Sequence, residues 1–186
     1  MANSSLFVFD SHQTIIYLLV YVDDIIITGN SSSQVSHLVT ALSKAFELKD
    51  LGALSYFLGI QIVPSKFGLT LCQSKYASNV LHRFKMENSK PMKTPCCPNV
   101  RLTPFDGSVL PNLTEYKSMV SALQYLTFTR LDLAFNVHQL FQFMHHPITS
   151  HLEVAKRVLR YMRGTLHFGI HLAPGPLTFS AFFDAD

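Results

Sequence analysis

Two short apolar runs on either side of an acidic pair constrain the fold of this chain more than any other feature. The first run ends at Val22 and the second begins at Ile25, with Asp23 and Asp24 between them. Both runs are rich in β-branched and aromatic residues and end in turn residues, which predicts two strands joined by a tight turn. Such turns usually need positive φ and favour Asn-Gly or glycine, so Asp-Asp at the turn indicates local strain.

The acidic pair itself allows two interpretations. Adjacent carboxylates between apolar strands repel each other, and that repulsion is poorly screened. A divalent cation would relieve it, and Mg²⁺ prefers carboxylate and phosphate oxygens as ligands. Most aspartates are exposed, however, so a bare Asp-Asp pair is better explained as a solvated hairpin tip.

The wider sequence favours the metal site through a family resemblance. Tyr21 and Val22 precede Asp23 and Asp24, and Tyr-Val-Asp-Asp between aliphatic strands resembles the catalytic hairpin of reverse transcriptases. Five further blocks resemble the copia-type LTR retrotransposon Pol polyprotein and occur in the order of that family: FELKDLG at 46–52, YFLGIQI at 56–62, KPMKTP at 90–95, LQYLT at 123–127 and KRVLRY at 156–161. Each block alone is weak, but the ordered set covers nearly the whole chain.

This resemblance implies RNA-directed DNA synthesis from a primer 3′-hydroxyl, with Mg²⁺ or Mn²⁺ as cofactor. Asp23 would be the stronger metal ligand, Asp24 the neighbouring carboxylate, and Tyr21 would pack near the primer terminus. The expected partners are an RNA or DNA primer–template, a deoxynucleoside triphosphate and an upstream segment of the polyprotein. Two-metal transfer needs ligands from several segments. In the resembled family, a further catalytic aspartate lies upstream of the hairpin, as do the fingers, which hold the template and the nucleotide. We expect both to lie upstream of this sequence.

The resemblance also implies roles farther along the chain. The hairpin that contains Phe57, Leu58 and Gly59 resembles the primer grip, which positions the 3′ end of the growing strand. Gly59 inside a predicted strand indicates either close approach of another backbone or a bulge. Asp184 matches the first metal-binding aspartate of a ribonuclease H domain.

Apolar spacing predicts an α+β fold. An amphipathic helix is expected from Ser31 to about residue 46, and Lys49 and Gly52 would complete and end it. The other expected elements are strands at 56–63 and 69–72, a helix at 76–84, a proline-rich extended segment at 88–111, three helices at 116–126, 134–144 and 150–162, and a terminal hairpin at 166–183. The last helix opens with Ser150 and Glu153, a capping-box pattern.

Family order divides these elements into three segments. Residues 1–95 would be the C-terminal part of the reverse transcriptase palm, residues 96–165 a helical thumb or connection, and residues 166–186 the start of a ribonuclease H-like domain.

The charge distribution predicts where nucleic acid binds. The chain has a net charge of +3, but residues 1–74 carry three basic and five acidic residues, a net −2, whereas residues 75–186 carry twelve basic and seven acidic residues, a net +5. Lys156, Arg160 and Arg163 form a basic stripe on the last helix. The stripe is either a solvated helix face or a phosphate-binding surface.

Composition and sequence patterns indicate the cellular compartment in which the chain is expected. Three cysteines without metal-ligand spacing indicate ordinary thiols in a reducing compartment. The N-terminus lacks a signal-peptide pattern, and Asp23 and Asp24 interrupt the longest apolar run, so no membrane role is expected. The family resemblance implies an intracellular location, cytoplasmic in virus-like particles or nuclear.

Two hypotheses of different class follow. The chain is either part of an active polymerase polyprotein that needs its upstream half, or a relic reading frame or non-catalytic nucleic-acid-binding module. The first hypothesis implies that the fragment is inactive alone.

Overall fold

The computed structural model describes residues 4–96, 102–176, 178 and 181, which fall into two compact units, Met1–Leu54 and Ser55–Asp186. The described residues contain five helices and seven strands, and the strands form two antiparallel sheets. The chain is therefore a mixed α and β protein, as predicted. Among the described residues, no helix combines the length and the apolar character needed to cross a membrane.

The first unit is a three-stranded sheet with one helix. Its elements are β1 (Ser4–Ser11), β2 (Thr14–Tyr21), β3 (Asp24–Gly29) and α1 (Ser32–Phe46). The sheet order is β1-β2-β3, and α1 lies against β3. The predicted hairpin and helix are confirmed. Strand β1 was missed because four consecutive apolar residues, 6–9, hide the alternation that identifies a half-buried strand.

The predicted end of α1 was wrong. The helix ends at Phe46, and Glu47 takes the left-handed conformation at its C-cap with φ 52°. Lys44 therefore occupies the last turn, and Lys49 lies outside the helix. Gly52 also has positive φ, but it belongs to a separate turn in which Asp50 Oδ1 accepts a hydrogen bond from its amide.

The sheet of the second unit joins residues from opposite ends of the sequence. Its strands are β4 (Tyr56–Phe57), β5 (Ile60–Ser65), β6 (Gly68–Cys72) and β7 (Gly169–Leu172), in that spatial order. The continuous strand predicted at 56–63 is broken, because Leu58 and Gly59 form a two-residue turn with φ 47° and 76°. Gly59 therefore lies in a tight turn, which was neither of the two roles predicted for it.

Four helices build the main core. They are α2 (Ser74–Arg83), α3 (Leu113–Leu126), α4 (Leu131–Phe141) and α5 (Thr149–Gly164), close to the predicted positions. Their apolar faces form one buried cluster that includes Val80, Leu123, Leu133 and Leu159. Because α2 shares this core, it belongs to the second compact unit, which begins at Ser55.

The predicted capping box of α5 was wrong. The helix begins at Thr149, so Ser150 and Glu153 lie inside its first turns. Instead, Ile148 and His151 form a reciprocal pair of hydrogen bonds at the start of the helix. The Ile148 amide donates to His151 Nδ1 at 3.2 Å, and the His151 amide donates to Ile148 O.

The proline-rich segment has no helix or strand in its described residues, 88–96 and 102–111. Its first part runs along α5, where the Met92 amide donates to Arg160 O at 3.2 Å. The predicted terminal hairpin is only partly described: its first strand, β7, pairs with β6, and its second half at 177–183 lies largely outside the described residues, as does Asp184.

Candidate functional site

The acidic pair lies at the tip of the β2–β3 hairpin. Tyr21 pairs with Asp24, so the two-residue turn consists of Val22 and Asp23. Asp24 is thus the first residue of β3, although the sequence placed both acids in the turn. Residues directly opposite on antiparallel strands share a face, with Cβ atoms about 4.5–5.5 Å apart. Tyr21 and Asp24 therefore flank the same surface at the hairpin tip.

The predicted strain is present, but Val22 carries it. Its φ is 52°, and its side chain is 65 % exposed, so packing does not offset the strain. A β-branched residue in the left-handed region costs about 1–2 kcal/mol relative to its preferred conformation. Such strain often accompanies function, because the surrounding structure fixes the neighbouring groups.

The two carboxylates are suitable ligands for a hard divalent cation. Asp23 and Asp24 are both exposed and adjacent, and Mg²⁺ takes one or two carboxylates together with substrate phosphates. Across the described ranges, no group of three or more histidines, cysteines or acids could hold a metal. The donor chemistry of the hairpin therefore fits Mg²⁺ or Mn²⁺ that is shared with a phosphate ligand.

The Leu58–Gly59 turn is fixed by an aromatic side chain. The Tyr125 hydroxyl of α3 donates to Leu58 O, and a Cβ on Gly59 would lie 2.8 Å from that hydroxyl oxygen. The Tyr125 ring packs edge-on against Tyr76 and Phe128, with centroids 4.9 and 5.8 Å away. The turn predicted to resemble the primer grip is therefore anchored to the helical core.

The basic stripe of α5 is only partly free for ligands. Lys156 is exposed, whereas Arg160 Nε donates to Lys90 O at 2.8 Å and Arg163 Nε donates to Glu87 O. Arg160 thus holds the start of the proline-rich segment and Arg163 holds the residue just before it, and both arginines keep their charge and their remaining donors. Neither of the two interpretations of the stripe included this structural role.

An ion pair between the buried Arg130 and the partly exposed Asp132 was missed by the sequence analysis. Arg130 is 2 % exposed, and its guanidinium donates to both oxygens of Asp132, at 2.9 and 2.8 Å, and to the carbonyl and hydroxyl oxygens of Thr165. Burial acts to raise the pKa of Asp132, but the hydrogen bonds and charge of Arg130 outweigh it and hold that pKa below its usual value. The sequence signal was a charged pair at the start of α4.

His151 was also missed. Its side chain is fully buried, Nε2 lies 3.0 Å from Thr103 O, and its ring stacks on Phe143 with centroids 3.9 Å apart. Since Nδ1 accepts from an amide, Nε2 carries the proton and the ring is neutral. Burial lowers the pKa of His151, although its hydrogen bond to the Thr103 carbonyl acts in the opposite direction.

Comparisons with known proteins agree with the sequence interpretation. The family described as reverse transcriptase (RNA-dependent DNA polymerase) matches residues 1–98. The chain is 43 % identical to the "Retrovirus-related Pol polyprotein from transposon RE1" and 45 % identical to that from transposon RE2, both of Arabidopsis thaliana, over its whole length. It is 42 % identical to the "Uncharacterized mitochondrial protein AtMg00810" of the same plant over 91 % of the chain and 71 % of that protein.

The chain spans 13 % of the length of the RE1 and RE2 polyproteins. No solved structure matches it. The predicted resemblance is confirmed by the match over the first 98 residues and by the identity over the full chain. The chain belongs to the reverse transcriptase (RNA-dependent DNA polymerase) family, in the branch of the copia-type retrotransposon Pol polyproteins.

Proposed function

We propose that this chain supplies the catalytic hairpin of an RNA-directed DNA polymerase. One observation carries the proposal: a tight hairpin with a strained turn presents Asp23 and Asp24 to solvent at the end of a sheet. Family membership supports it, since divalent metal use and nucleic-acid substrates are general properties of reverse transcriptases. In this proposal, 1–95 is palm, 96–165 is thumb or connection, and 166–186 begins a ribonuclease H-like domain that includes Asp184.

Each residue at the hairpin tip has a proposed role. Asp23 and Asp24 hold the divalent ions through their carboxylate oxygens. When bound, Mg²⁺ or Mn²⁺ supplies positive charge that favours the attacking and leaving oxygens of phosphoryl transfer. Tyr21 shares a face with Asp24 and borders the primer terminus. The strained Val22 backbone fixes the directions of both acids.

The second unit is proposed to hold the primer–template. The anchored turn at Phe57, Leu58 and Gly59 positions the primer strand, and its fixed geometry supports that role. The phosphates are contacted by the N–H donors that make no hydrogen bond within the chain, on Lys156, Arg160 and Arg163. Phosphate contacts of this kind set register and orientation without reading sequence.

The catalytic proposal is tested by replacing the matching segment of the RE2 Pol polyprotein with this chain. We expect the chimera to extend a primer on an RNA template. Asp23→Asn or Asp24→Asn should lower kcat by about a hundredfold or more, on the scale of losing one preorganised electrostatic group. Asp10→Asn is the matched control, because Asp10 is an exposed carboxylate of the same sheet, on β1. Parent-level extension by Asp23→Asn would show that the hairpin acids are not metal ligands.

We further propose that the 186-residue chain does not extend a primer by itself with Mg²⁺ or Mn²⁺, since it spans 13 % of the RE1 and RE2 polyproteins and the activity belongs to the larger assembly. Extension by the isolated chain that is lost in Asp23→Asn would refute this and define a minimal polymerase.

A nucleic-acid-binding module without catalysis is the second candidate. The observation that favours it is the mitochondrial relative, of which this segment covers 71 %. That relative is therefore not much longer than the segment itself. A chimera with no primer extension, combined with nucleic-acid binding by the isolated chain, would favour the module over the polymerase.

A further inference from the structure

A cavity of about 600 Å³ lies beside the first half of α5 and is called the α5 cavity below. Its walls come from α5, from the segment at 102–106 and from Met86. Cavities of 300–1,000 Å³ that combine apolar walls with a few converging polar groups are typical small-molecule sites. The hairpin acids of the first unit take no part in it.

Three cations of α5 line the cavity. They are Lys156, Arg157 and Arg160. Both guanidiniums are held in place by the proline-rich segment, since Arg157 Nη2 donates to Thr94 Oγ1 at 2.9 Å and Arg160 Nε donates to Lys90 O at 2.8 Å. A guanidinium has five N–H donors, so most of the donors of each arginine remain for a ligand.

The guanidinium of Arg157 is incompletely paired. Its Nε is buried and has no hydrogen-bond partner. A buried charged donor without an acceptor carries an uncompensated cost of desolvation. The Nε atom itself does not face the cavity, but the guanidinium shares one charge over its three nitrogens, so an anion in the α5 cavity would stabilise it and Arg157 favours an anionic ligand.

The cavity is not a simple anion site, because two acids also line it. They are Asp106 and Glu153, and neither forms an ion pair with the three cations, which all lie in the described part of the chain. Asp106 Oδ2 accepts from Thr103 Oγ1 at 2.5 Å and retains further acceptor capacity. Carboxylates accept hydrogen bonds only, so they favour a ligand that carries hydroxyl or amino donors beside its anionic group.

The remaining walls are apolar. Met86, Leu102 and Val154 offer surface for a flat ring. We propose that the α5 cavity binds a nucleoside phosphate: the phosphate on Lys156, Arg157 and Arg160, sugar or base donors on Asp106 and Glu153, and the base on the apolar wall. The ligand is either a free nucleotide or the 5′-terminal nucleotide of a strand.

The test uses isothermal titration calorimetry on the 186-residue chain with 5′-GMP and with inorganic phosphate as probes. We expect saturable binding of GMP, with a Kd at least about tenfold lower than that of inorganic phosphate. Lys156→Gln and Arg157→Gln should each weaken GMP binding about tenfold. Lys156 is exposed, so its variant tests the site even if Arg157→Gln disturbs folding, which circular dichroism would show. Lys117→Gln, an exposed lysine of α3, is the matched control and should bind like the parent.

Glu153→Gln separates a nucleotide site from a plain anion site. If Glu153 accepts from sugar or base donors, its loss weakens GMP binding and leaves phosphate binding unchanged or slightly tighter. Tighter binding of both probes in Glu153→Gln, or no saturable GMP binding in the parent, would overturn the proposal.

Competition identifies the source of the ligand. Displacement of GMP by a 5′-phosphorylated RNA decamer, but not by the 5′-hydroxyl decamer, would assign a strand end, and no displacement by either decamer would assign a free nucleotide. Equal displacement by both decamers would mean that the α5 cavity binds internal phosphates of a strand, which is the role given to Lys156 and Arg160 under the proposed function. That result would overturn the nucleotide proposal and leave the proposed primer–template contact standing.

Discussion

At the scale of single residues, left-handed backbone conformations mark turns and helix ends of this chain. Within the described ranges, positive φ occurs at Val22, Glu47, Leu58 and Lys85 in addition to glycines. Each lies in a turn or at a helix end, where Gly or Asn would adopt the same conformation at lower cost. These positions therefore identify substitutions that should stabilise the chain.

Leu58→Asn should raise the free energy of unfolding by about 1 kcal/mol. Leu58 and Gly59 form a turn with both φ values positive, for which Asn-Gly is the preferred sequence. The contact from Tyr125 uses only the backbone carbonyl of residue 58 and is retained. Urea unfolding followed by circular dichroism measures the change. Leu172→Asn, in strand β7 at normal φ, is the control and should destabilise, because asparagine is a poor strand residue. Destabilisation by both variants would contradict the explanation.

His151 should make stability depend on pH. Burial lowers its pKa in the folded state, so the unfolded chain binds the proton more readily. The stabilising contribution is therefore complete above the unfolded pKa of about 6.5 and declines as the pH falls below it. A proton on Nδ1 would also face the Ile148 amide, which now donates to that atom.

Urea midpoints between pH 8 and pH 5 test this dependence. We expect a plateau above about pH 7 and a decline below about pH 6.5. His151→Gln should be less stable at pH 8 and should lose that part of the decline. His138→Gln, at an exposed position of α4, should keep the parental pH profile. The pKa of Asp132 is lowered in the folded state, so this residue adds a separate loss of stability only below its pKa in the unfolded chain, about 3.9.

At the scale of elements, apolar periodicity was enough to predict α1 to α5 and the β2–β3 hairpin. Periodicity reports which residues face a core, and it carries no information about distant partners. The pairing of β7 with β6 and the Arg130–Asp132 contact with Thr165 depend on residues far apart in sequence. The break at 58–59 was missed because a leucine occupies a position that normally requires Gly or Asn. The candidate site at Asp23 and Asp24 could be identified from the sequence, because the repulsion between adjacent carboxylates beside apolar strands is evident from neighbouring residues alone.

The tie between the β4–β5 hairpin and α3 is tested by a double-mutant cycle. Gly59→Ala should cost about 2 kcal/mol or more, since it adds a side chain at φ 76° and places Cβ 2.8 Å from the Tyr125 hydroxyl oxygen. Tyr125→Phe should cost about 1 kcal/mol through loss of the hydrogen bond to Leu58 O. The double variant removes the clash, so it should be more stable than the sum of the two single effects predicts. Strict additivity in urea unfolding would mean that Tyr125 does not anchor the turn.

At the scale of the whole molecule, charge is divided unequally between the two compact units. The sequence of the first unit has two basic and five acidic residues, whereas that of the second has thirteen basic and seven acidic residues. An acidic part that holds cations and a basic part that holds a polyanion suit a nucleic-acid enzyme. The chain should therefore bind duplex nucleic acid weakly, without sequence preference and through its second unit.

Salt dependence provides the test of this binding. Each neutralised phosphate contributes a slope of about −0.9 in the logarithm of the binding constant against the logarithm of salt on duplex DNA. Replacing Lys156, Arg160 and Arg163 by glutamine should reduce the slope by up to about three units. The matched control replaces Lys66, Lys75 and Lys117, three exposed lysines elsewhere in the second unit, and should change the slope less. If the α5 variant keeps the parental affinity and slope, the stripe binds no phosphate: Arg160 and Arg163 then serve only their carbonyl contacts at Lys90 and Glu87, and Lys156 is a solvated residue.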